Sequence, residues 1–285
     1  MRAGFLGPEG TFSHEAMLAT PALDELELIA LPTIRDAVIA VQDGEVDRAL
    51  VPIENSIEGS VNATLDALAF EADRVVVVGE AIHAISQCVI APGPVALESV
   101  QAVVSHPHAS AQCARFVRRT MPSARIIASN STADAVRLVA EHGDGWVALG
   151  PGLAAARYGC EVLQAGVEDE PGNETRFVWL APEGTPAGVP GCSEPAVGGA
   201  WKTATVFWGA GTGSSGWLVG CLTELSSRGV NLTRIESRPR RRALGEYMFF
   251  VDFEGRDRDP QIAEALEAFA SHVEVLRVLG SFPAA

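Results

Sequence analysis

The strongest constraint on the fold is a regular alternation of short apolar strands and amphipathic helices over residues 1–180. Arg2–Leu6 and Arg48–Ile53 have the length and apolar character of buried strands. Between them, Thr33 and Asp36 form a capping-box start for a helix whose apolar residues keep helical spacing until Gly44. This alternation is typical of mainly parallel sheets covered by helices on both faces, so we predict an α/β fold for this part of the chain.

A change of composition marks the end of this region. Residues 181–200 are dominated by proline, glycine and alanine and lack a periodic apolar face, which predicts a linker. Residues 201–285 then give strand, helix, two strands, helix and strand, with a helix at Gly216–Arg228 and a strand pair at Asn231–Ser237 and Tyr247–Phe253. This order predicts an α+β ferredoxin-like domain. We predict a solvated loop for the basic run from Arg238 to Arg242.

Charge and composition exclude several classes of function for this chain of 285 residues. A net charge of −15 argues against a nucleic-acid partner, because phosphate backbones require a basic face. The sequence contains neither an apolar run of about 20 residues nor a signal segment, so we expect no membrane association. The five cysteines are scattered without a CxxC pair, which is typical of reduced thiols in a cytoplasmic protein. Metal-ligand spacing and nucleotide-binding loops are also missing, so we predict no metal and no cofactor.

Three polar segments follow or precede predicted strands, where ligands of α/β sheets usually bind. They are Glu54-Asn55-Ser56, Ser105-His106-Pro107 with Gln112, and Asn173 to Phe177. Neutral donors together with Arg176 suit a ligand that carries hydroxyl and carboxylate groups. Taken singly, these segments are more often an ordinary turn, a helix cap or the start of a strand than part of a binding site.

The order and content of these segments resemble a known family. Gly7-Pro8-Glu9-Gly10-Thr11-Phe12-Ser13, Val51 to Ser56 with Gly59-Ser60-Val61, Ser105-His106-Pro107 with Gln112 and Cys113, and Asn173-Glu174-Thr175-Arg176-Phe177 occur in that order. Together they resemble the prephenate dehydratase family over about residues 2–180. Gly229 to Pro239 contains Glu236-Ser237-Arg238-Pro239, which resembles the Glu-Ser-Arg-Pro motif of the ACT regulatory domain fused to these enzymes.

The resemblance implies a domain organisation and a set of site residues. It implies a two-lobed, periplasmic-binding-protein-like catalytic region at 1–180, with lobe one at about 1–76 and 158–180, lobe two at about 77–157 and the active site in the cleft. The linker at 181–200 and an ACT domain at 201–285 would follow. Matching residues are Thr175, Glu54, Asn55, Ser105 and Gln112 for catalysis, Arg176, Phe177, Thr11, Ser56 and His106 for substrate, and Gly216, Leu218, Asn231, Glu236 and Ser237 for an effector.

Two positions depart from the family pattern. His108 stands where the family usually has Gln, which could alter the polarity or the pH dependence of the cleft. Trp217 stands where a small residue is common in the regulatory domain. We consider two places for its indole, in the effector site or in the interface between subunits.

The resemblance also implies a reaction, the conversion of prephenate to phenylpyruvate by a carbon–oxygen lyase of L-phenylalanine biosynthesis. Aromatisation of the ring drives the loss of carbon dioxide and water, so neither a metal nor a cofactor is required. We expect Thr175 to hydrogen-bond the departing hydroxyl, with His106 as a competing general acid. ACT domains pair and bind amino acids, so L-phenylalanine is the expected effector and a homodimer or homotetramer the expected assembly. Arogenate dehydratase and a non-catalytic small-molecule sensor remain as alternatives.

Overall fold

The structure is a computed structural model, which describes residues 1–21, 23–190 and 199–285. The strands within these ranges are β1 Arg2–Leu6, β2 Glu27–Leu31, β3 Arg48–Asn55, β4 Gly59–Ser60, β5 Val75–Ala84, β6 Cys88–Ala91, β7 Ala102–Ser105, β8 Arg125–Ala128, β9 Trp146–Gly150, β10 Glu161–Ala165, β11 Glu174–Pro182, β12 Trp201–Trp208, β13 Leu232–Pro239, β14 Tyr247–Glu254 and β15 Val275–Pro283. The α-helices are α1 Phe12–Leu18, α2 Ile34–Gln42, α3 Asn62–Phe70, α4 Pro107–Gln112, α5 Ala114–Thr120, α6 Thr132–His142, α7 Gly152–Tyr158, α8 Trp217–Ser226 and α9 Pro260–Ala270.

The first sheet carries the strands that matter most for function. Its order is β2-β1-β3-β11-β5, with β4 paired to β3. Strands β1, β2 and β3 are parallel, and β11 runs antiparallel to both of its neighbours. Apolar residues of α1 pack on one face with Phe5 and Trp179, and apolar residues of α2 and α3 pack on the other with Val178 and Leu180. Burial on both faces explains why β3 and β11 are almost continuously apolar after their first polar residues.

The second sheet has the order β10-β6-β9-β7-β8. Helices α4 and α5 cover one face through Cys113, Phe116 and Val117, and helices α6 and α7 cover the other through Val136 and Ala154. The predicted α/β character of both sheets is confirmed. The predicted lobe limits differ from the sheet membership, because β5 extends in the first sheet to Ala84 and β10, placed by prediction in lobe one, pairs with β6 of the second sheet.

The third sheet has the order β13-β14-β12-β15 and is antiparallel throughout. Helices α8 and α9 cover one face, and the strand–helix order confirms the predicted ferredoxin-like arrangement. The opposite face packs through Val206, Phe250 and Phe282 against the same core that holds α2 and α3. The third sheet is therefore built directly onto the first.

Two further predictions concern the linker at 181–200 and membrane association. The linker prediction for 181–200 falls partly on 191–198, and these residues lie outside the described ones, as does Cys192. Residues 181–182 complete β11, because β11 pairs with β5 as far as Pro182. Among the helices that the structure describes, none has the length and apolar character needed to cross a membrane.

Candidate active site

Thr175 lies between two neighbouring strands at the start of β11. It stands opposite Asn55 of β3 and opposite His83 of β5 in the register of the sheet. Asn55 Nδ2 donates a hydrogen bond to Thr175 Oγ1 at 2.9 Å. A hydroxyl oxygen that accepts one hydrogen bond still carries its own proton. The Thr175 hydroxyl can therefore donate to a ligand in front of the sheet.

Asn55 is held rigidly by its surroundings. Its Oδ1 accepts hydrogen bonds from the backbone N–H groups of Ile57 and Glu58, each at 3.0 Å. Its Nδ2 also lies 2.7 Å from Asn173 Oδ1. Because both ends of the amide are engaged, its donor is fixed toward Thr175. The predicted proximity of Asn55 and Thr175 is present in the structure.

Asn173 connects Asn55 with the second lobe and was not among the predicted site residues. It is 3% exposed, and its Oδ1 also accepts from Ser56 Oγ at 3.3 Å. Its Nδ2 donates to Gln112 Oε1 at 3.4 Å. The polar stretch before Thr175 was the signal available in the sequence, but only the fold shows that Asn173 turns inward. Asn55, Ser56, Asn173, Thr175 and Gln112 are called the neutral network below.

A cavity of about 300 Å³ opens beside this network, between the two lobes. Its lining residues are Ile57, Glu58, Ala111, Gln112, Arg115, Asp169 and Glu170. Gln112 Nε2 donates to Glu58 Oε1 at 3.4 Å, which links α4 of the second lobe to the loop after β3. Hydrogen bonds of this length are weak, so Gln112 can exchange them for bonds to a ligand.

Ser105 and His106 have local roles that the sequence did not predict. Ser105 ends β7, is fully buried and donates to the Leu149 carbonyl oxygen at 2.8 Å. It is therefore neither a helix cap nor, among the described contacts, part of the neutral network. The cap of α4 is His106, whose Nδ1 accepts from the backbone N–H of His108 at 3.3 Å.

The histidine pair before α4 is poorly suited to supply protons. Burial, with a contribution from His108, lowers the pKa of His106. The cap bond also requires His106 Nδ1 to be unprotonated. The rings of His106 and His108 meet edge to face at 5.0 Å, so the two side chains lie together at the start of α4. Both observations weigh against His106 as the general acid.

Thr11 caps the first helix and does not contact the neutral network. Its Oγ1 accepts from the backbone N–H of His14 at 3.3 Å and donates to the Leu6 carbonyl oxygen at 3.1 Å. Both hydrogen-bonding functions of the hydroxyl thus serve the turn between β1 and α1. The prediction of Thr11 as a substrate contact finds no support in these bonds.

Arg176 and Phe177 differ from their predicted roles as substrate contacts. Phe177 is 1% exposed and packs in the core beneath α1. Arg176 points to the opposite face from Thr175, because successive residues of a strand alternate between faces. There its Nε lies 2.8 Å from Glu80 Oε2 and its Nη2 lies 2.7 Å from Asp252 Oδ2. The guanidinium is therefore paired with protein carboxylates on the face of the sheet that points away from the cleft.

Arg176 belongs to a buried network of charges between the first and third sheets. Arg234 lies 3.0 Å from Asp252, and Lys202 Nζ lies 2.7 Å from Glu80. Burial alone would raise the pKa of Asp252, but the charges of Arg234 and Arg176 outweigh it and hold that pKa below its ordinary value. Arg176, Glu80, Asp252, Arg234 and Lys202 are called the interdomain charge network below. Glu54, predicted to be catalytic, faces this network at 3.4 Å from Arg176.

The Glu-Ser-Arg-Pro segment also contacts the catalytic region. Ser60 Oγ of β4 donates to Glu236 Oε2 at 2.8 Å. Arg238 and Arg241 both lie 2.7 Å from Asp66 of α3. The prediction of a solvated arginine loop is therefore wrong for Arg238, which lies in β13 with its side chain 20% exposed, whereas the side chain of Arg241 is 58% exposed although it pairs with Asp66.

A second cavity, of about 170 Å³, lies in the third-sheet domain. Its lining residues are Ser214, Gly216, Trp217, Leu218, Val219, Gly245, Tyr247 and Phe249. Of the predicted effector residues, Gly216 and Leu218 line it, while Asn231, Glu236 and Ser237 are not part of its described lining. Asn231 donates instead to Glu254 Oε1 at 3.0 Å. Trp217 Nε1 donates to the His272 carbonyl oxygen at 2.7 Å, which fixes the indole at the cavity wall within its own domain.

Comparison with known proteins resolves the family. The family model described as prephenate dehydratase matches residues 3–185. The chain belongs to the prephenate dehydratase family. An ACT domain model matches residues 222–271 of the third-sheet domain.

Relatives in this family are similar over almost the whole chain. A prephenate dehydratase of Amycolatopsis methanolica is 39% identical over 281 residues, which cover 99% of this chain and 88% of that protein. One of Mycolicibacterium vanbaalenii is 39% identical over 292 residues, covering 98% of this chain and 90% of its own. The similarity to these two prephenate dehydratases therefore covers both the catalytic region and the ACT domain of this chain.

Solved structures of similar proteins support the fold. The prephenate dehydratase of Arthrobacter aurescens, solved in complex with L-Phe, has a TM-score of 0.87 at 35% identity and covers 99% of this chain and 90% of its own. A protein named GqqA, described as a novel type of quorum quenching acylase, has a TM-score of 0.83 at 28% identity and covers 100% and 98%. Because one fold can carry different activities, the residues of the site must decide between them.

Proposed function

We propose that this chain converts prephenate to phenylpyruvate. In this reaction the bond between the ring and its carboxylate breaks, and the released electron pair enters the ring. The carbon–oxygen bond of the ring hydroxyl breaks in turn, and the hydroxyl leaves as water after taking up a proton. The products are phenylpyruvate, carbon dioxide and water. The ring becomes aromatic, so the enzyme has mainly to position the dianion and assist the departing hydroxyl.

The hydroxyl of Thr175 is the observation that carries this proposal. Asn55 donates to Thr175 Oγ1 at 2.9 Å, which leaves the threonine proton for the leaving hydroxyl. Developing charge on that oxygen is best stabilised by a donor that is already aligned. Asn55 meets this requirement because its own oxygen is fixed by two backbone N–H groups.

The remaining neutral donors suit the other oxygens of the substrate. Gln112 reaches the network from the second lobe through weak bonds of 3.4 Å. Closing of the lobes on a ligand would bring its amide onto substrate oxygens without desolvating a charge. Arg176 has no part in binding, because Glu80 and Asp252 occupy its guanidinium.

The test is phenylpyruvate formation from prephenate by the purified protein and by Thr175→Ala. We expect kcat to fall on the order of 10²- to 10³-fold in Thr175→Ala, the range for loss of one aligned donor, and to recover partly in Thr175→Ser. Thr120→Ala is the matched control, because its hydroxyl bonds only the Phe116 carbonyl oxygen in α5. Wild-type kcat in Thr175→Ala would refute the role of this hydroxyl.

Two rival functions have distinct outcomes in the same assay. Arogenate has an amino group in place of the side-chain keto group, so kcat/KM for the two substrates separates an arogenate dehydratase from a prephenate dehydratase. A non-catalytic sensor would turn over neither substrate. The neutral arrangement around Thr175 favours an enzyme, since a binding protein needs no free threonine proton.

We further propose that L-phenylalanine inhibits the enzyme through the ACT domain, in a cytoplasmic homodimer or homotetramer. The Arthrobacter aurescens relative is described in complex with L-Phe, and the cavity beside Trp217 is the corresponding candidate here. Inhibition requires that bound effector favour a less active arrangement of the catalytic cleft. Contacts of Glu236 with Ser60 and of Asp252 with Arg176 give the ACT domain two direct connections to that region.

The regulatory proposal is tested by titrating phenylalanine at subsaturating prephenate, with the oligomeric state measured by light scattering. In the wild type we expect phenylalanine to bind and to lower the rate of prephenate turnover. In Trp217→Ala we expect a changed phenylalanine affinity at unchanged basal rate, because the indole forms one cavity wall. A rate that ignores phenylalanine in the wild type would refute feedback inhibition, and a monomer would refute the assembly.

A further inference from the structure

His83 is an ionisable group placed directly beside Thr175. The two residues are partners in the antiparallel register of β5 and β11. Directly opposed residues of such a pair point to the same face, with Cβ atoms about 5 Å apart. Thr175 therefore has Asn55 on one side and His83 on the other, at the same level of the cleft face.

Glu15 fixes the imidazole of His83. His83 Nε2 lies 3.3 Å from Glu15 Oε2, and both side chains are largely buried. The other carboxylate oxygen, Glu15 Oε1, accepts the backbone N–H of Leu153 in the second lobe at 3.2 Å. A carboxylate at one ring nitrogen orients a histidine and leaves its other nitrogen for chemistry. In the described residues no hydrogen bond engages that other nitrogen, Nδ1.

The proposed reaction requires a proton source that Thr175 alone does not supply. Prephenate enters as a dianion and phenylpyruvate leaves as a monoanion, so conversion to carbon dioxide and water takes up one proton per turnover. A threonine hydroxyl can donate a hydrogen bond but is too weak an acid to lose its proton at neutral pH. An imidazolium can give up a proton in this range.

We propose that His83, oriented by Glu15, supplies the proton that leaves with the ring hydroxyl as water. This inference rests on the proposed function. As the carbon–oxygen bond breaks, a proton passes from the imidazolium to the departing oxygen, while Thr175 stabilises that oxygen by hydrogen bonding. His83 is left neutral and regains its proton from solvent before the next turnover.

Other histidines near the cleft are less suited to this role. His14 Nδ1 accepts the backbone N–H of Gly10 at 3.0 Å, and His106 Nδ1 accepts that of His108 at 3.3 Å. Burial lowers the pKa of both, so both favour the neutral form. His83 combines a carboxylate partner, a free ring nitrogen and a position next to Thr175.

The charged surroundings of His83 define what else could titrate with it. Glu15 of α1 is its direct partner. Next to Glu15 on the same helix is His14, whose charged neighbours are Glu15, Glu9 in the preceding turn and Arg157 of α7, which pairs with Glu9. On β11 the facing residue is the uncharged Thr175. A pH profile therefore has to separate His83 from Glu15 and His14 by substitution.

The experiment measures kcat for prephenate as a function of pH in wild type, His83→Gln, Glu15→Gln and His106→Gln. In wild type we expect kcat to fall as pH rises, because the imidazolium is the active form. His83→Gln should lower kcat by roughly 10²- to 10⁴-fold, the range for general acid catalysis, and abolish that dependence. Glu15→Gln should lower kcat less than His83→Gln does, and its kcat should still fall as pH rises, which is the pH-dependent limb of the profile. His106→Gln, which removes the rival donor, should keep the pH-dependent limb, and His142→Gln, at the C-terminal end of α6 and stacked on Trp146, is the matched control that should keep the wild-type kcat and profile.

Three outcomes would overturn the proposal. His83→Gln with both the wild-type kcat and the wild-type limb, or His106→Gln without the limb, would reassign the proton donor. A His83→Gln variant with lower kcat but an unchanged limb would reduce His83 to a structural role, and its melting temperature would show whether folding was affected. No turnover of prephenate by the wild type is a different pattern, which would refute the proposed function itself.

Discussion

The two faces of β11 carry polar groups of opposite character, although they belong to adjacent residues. On the cleft face, Thr175 joins a neutral network whose bonds lengthen to 3.4 Å toward the second lobe. On the other face, Arg176 joins the interdomain charge network, with contacts of 2.7 and 2.8 Å. One strand thus presents a loose neutral site to one side and a tight ionic junction to the other.

The difference follows from what each face has to do. A cleft that receives a dianion gains from donors that can exchange partners, and neutral amides do so at little desolvation cost. A junction buried between two sheets cannot leave a charge unpaired, so each guanidinium there has a carboxylate. Side chains of Glu80 and Asp252 are 0% and 1% exposed, which places their charges wholly within the protein.

This arrangement also connects the ACT domain to Thr175, through one ion pair and one peptide bond. Asp252 holds Arg176, and Arg176 is the neighbour of Thr175 in the chain. A displacement of β14 relative to β11 would therefore move Arg176, and the peptide bond between Thr175 and Arg176 would transmit this movement to Thr175 in the cleft. Such coupling requires two arrangements of the junction with different effector affinity.

We expect the largest effect from Asp252→Ala, which should lower the stability of the fold. This change leaves Arg176 and Arg234 buried beside an empty position, and breaking a buried ion pair by removing one partner costs about 3–5 kcal/mol. We expect a loss of that order in the free energy of unfolding, measured by urea denaturation. Arg137→Ala breaks an exposed pair with Glu141 and should cost much less. Equal losses in the two variants would contradict the distinction between the junction and ordinary surface pairs.

A smaller effect is expected on the cleft face, in Asn173→Ala. Loss of this buried amide removes an acceptor from Asn55 and Ser56, and one hydrogen bond contributes about 0.5–1.5 kcal/mol. If that loss is expressed in the transition state, kcat falls roughly 2- to 10-fold. Steady-state kinetics with prephenate measure it. Asn231→Ala, remote from the cleft and bonded to Glu254, should leave kcat unchanged. An unchanged kcat in Asn173→Ala would remove Asn173 from the site.

Sequence patterns predicted the elements better than the directions of side chains. The capping start at Thr33 is present, because Thr33 Oγ1 accepts the Asp36 N–H at 3.0 Å. The strand–helix order of both regions is also confirmed. These features depend on local spacing, which a sequence displays directly.

The sequence motifs named Asn55 and Thr175 as site residues but could not show which side chains would lie together. Asn55 and Thr175 come together because β3 and β11 are neighbours in the sheet. Arg176 looked equally suited to a ligand, and only the alternation of the strand against the third sheet assigns it to Asp252. His83 lies in an apolar strand without motif context, so its pairing with Glu15 depends on a contact between residues 68 positions apart.

The smallest expected effect is the pH dependence of the second contact between the domains. Burial alone would raise the pKa of Asp66, but hydrogen bonds from Arg238 and Arg241 and their charges outweigh it and lower that pKa below 3.8. A carboxyl whose pKa is lower in the folded state stabilises the fold above its unfolded pKa and loses that contribution as pH falls through the folded value. The loss begins between roughly pH 5 and pH 3. In this range the free energy of unfolding of the wild type should therefore fall more than that of Asp66→Asn.

Thermal unfolding at several pH values measures this difference, with Asp47→Asn as the control. Asp47 pairs with Arg2 at an exposed position, so its substitution should leave the acid dependence nearly as in the wild type. Because the side chain of Asp66 is 13% exposed and that of Asp252 is 1% exposed, removing Asp66 should cost less stability than removing Asp252. Parallel pH curves for wild type and Asp66→Asn would mean that Arg238 and Arg241 do not hold the carboxylate in solution. The interdomain charge network and the hydrogen bonds of Arg277 to the Leu68 and Ala72 carbonyl oxygens would then carry the charged contacts between the catalytic region and the ACT domain.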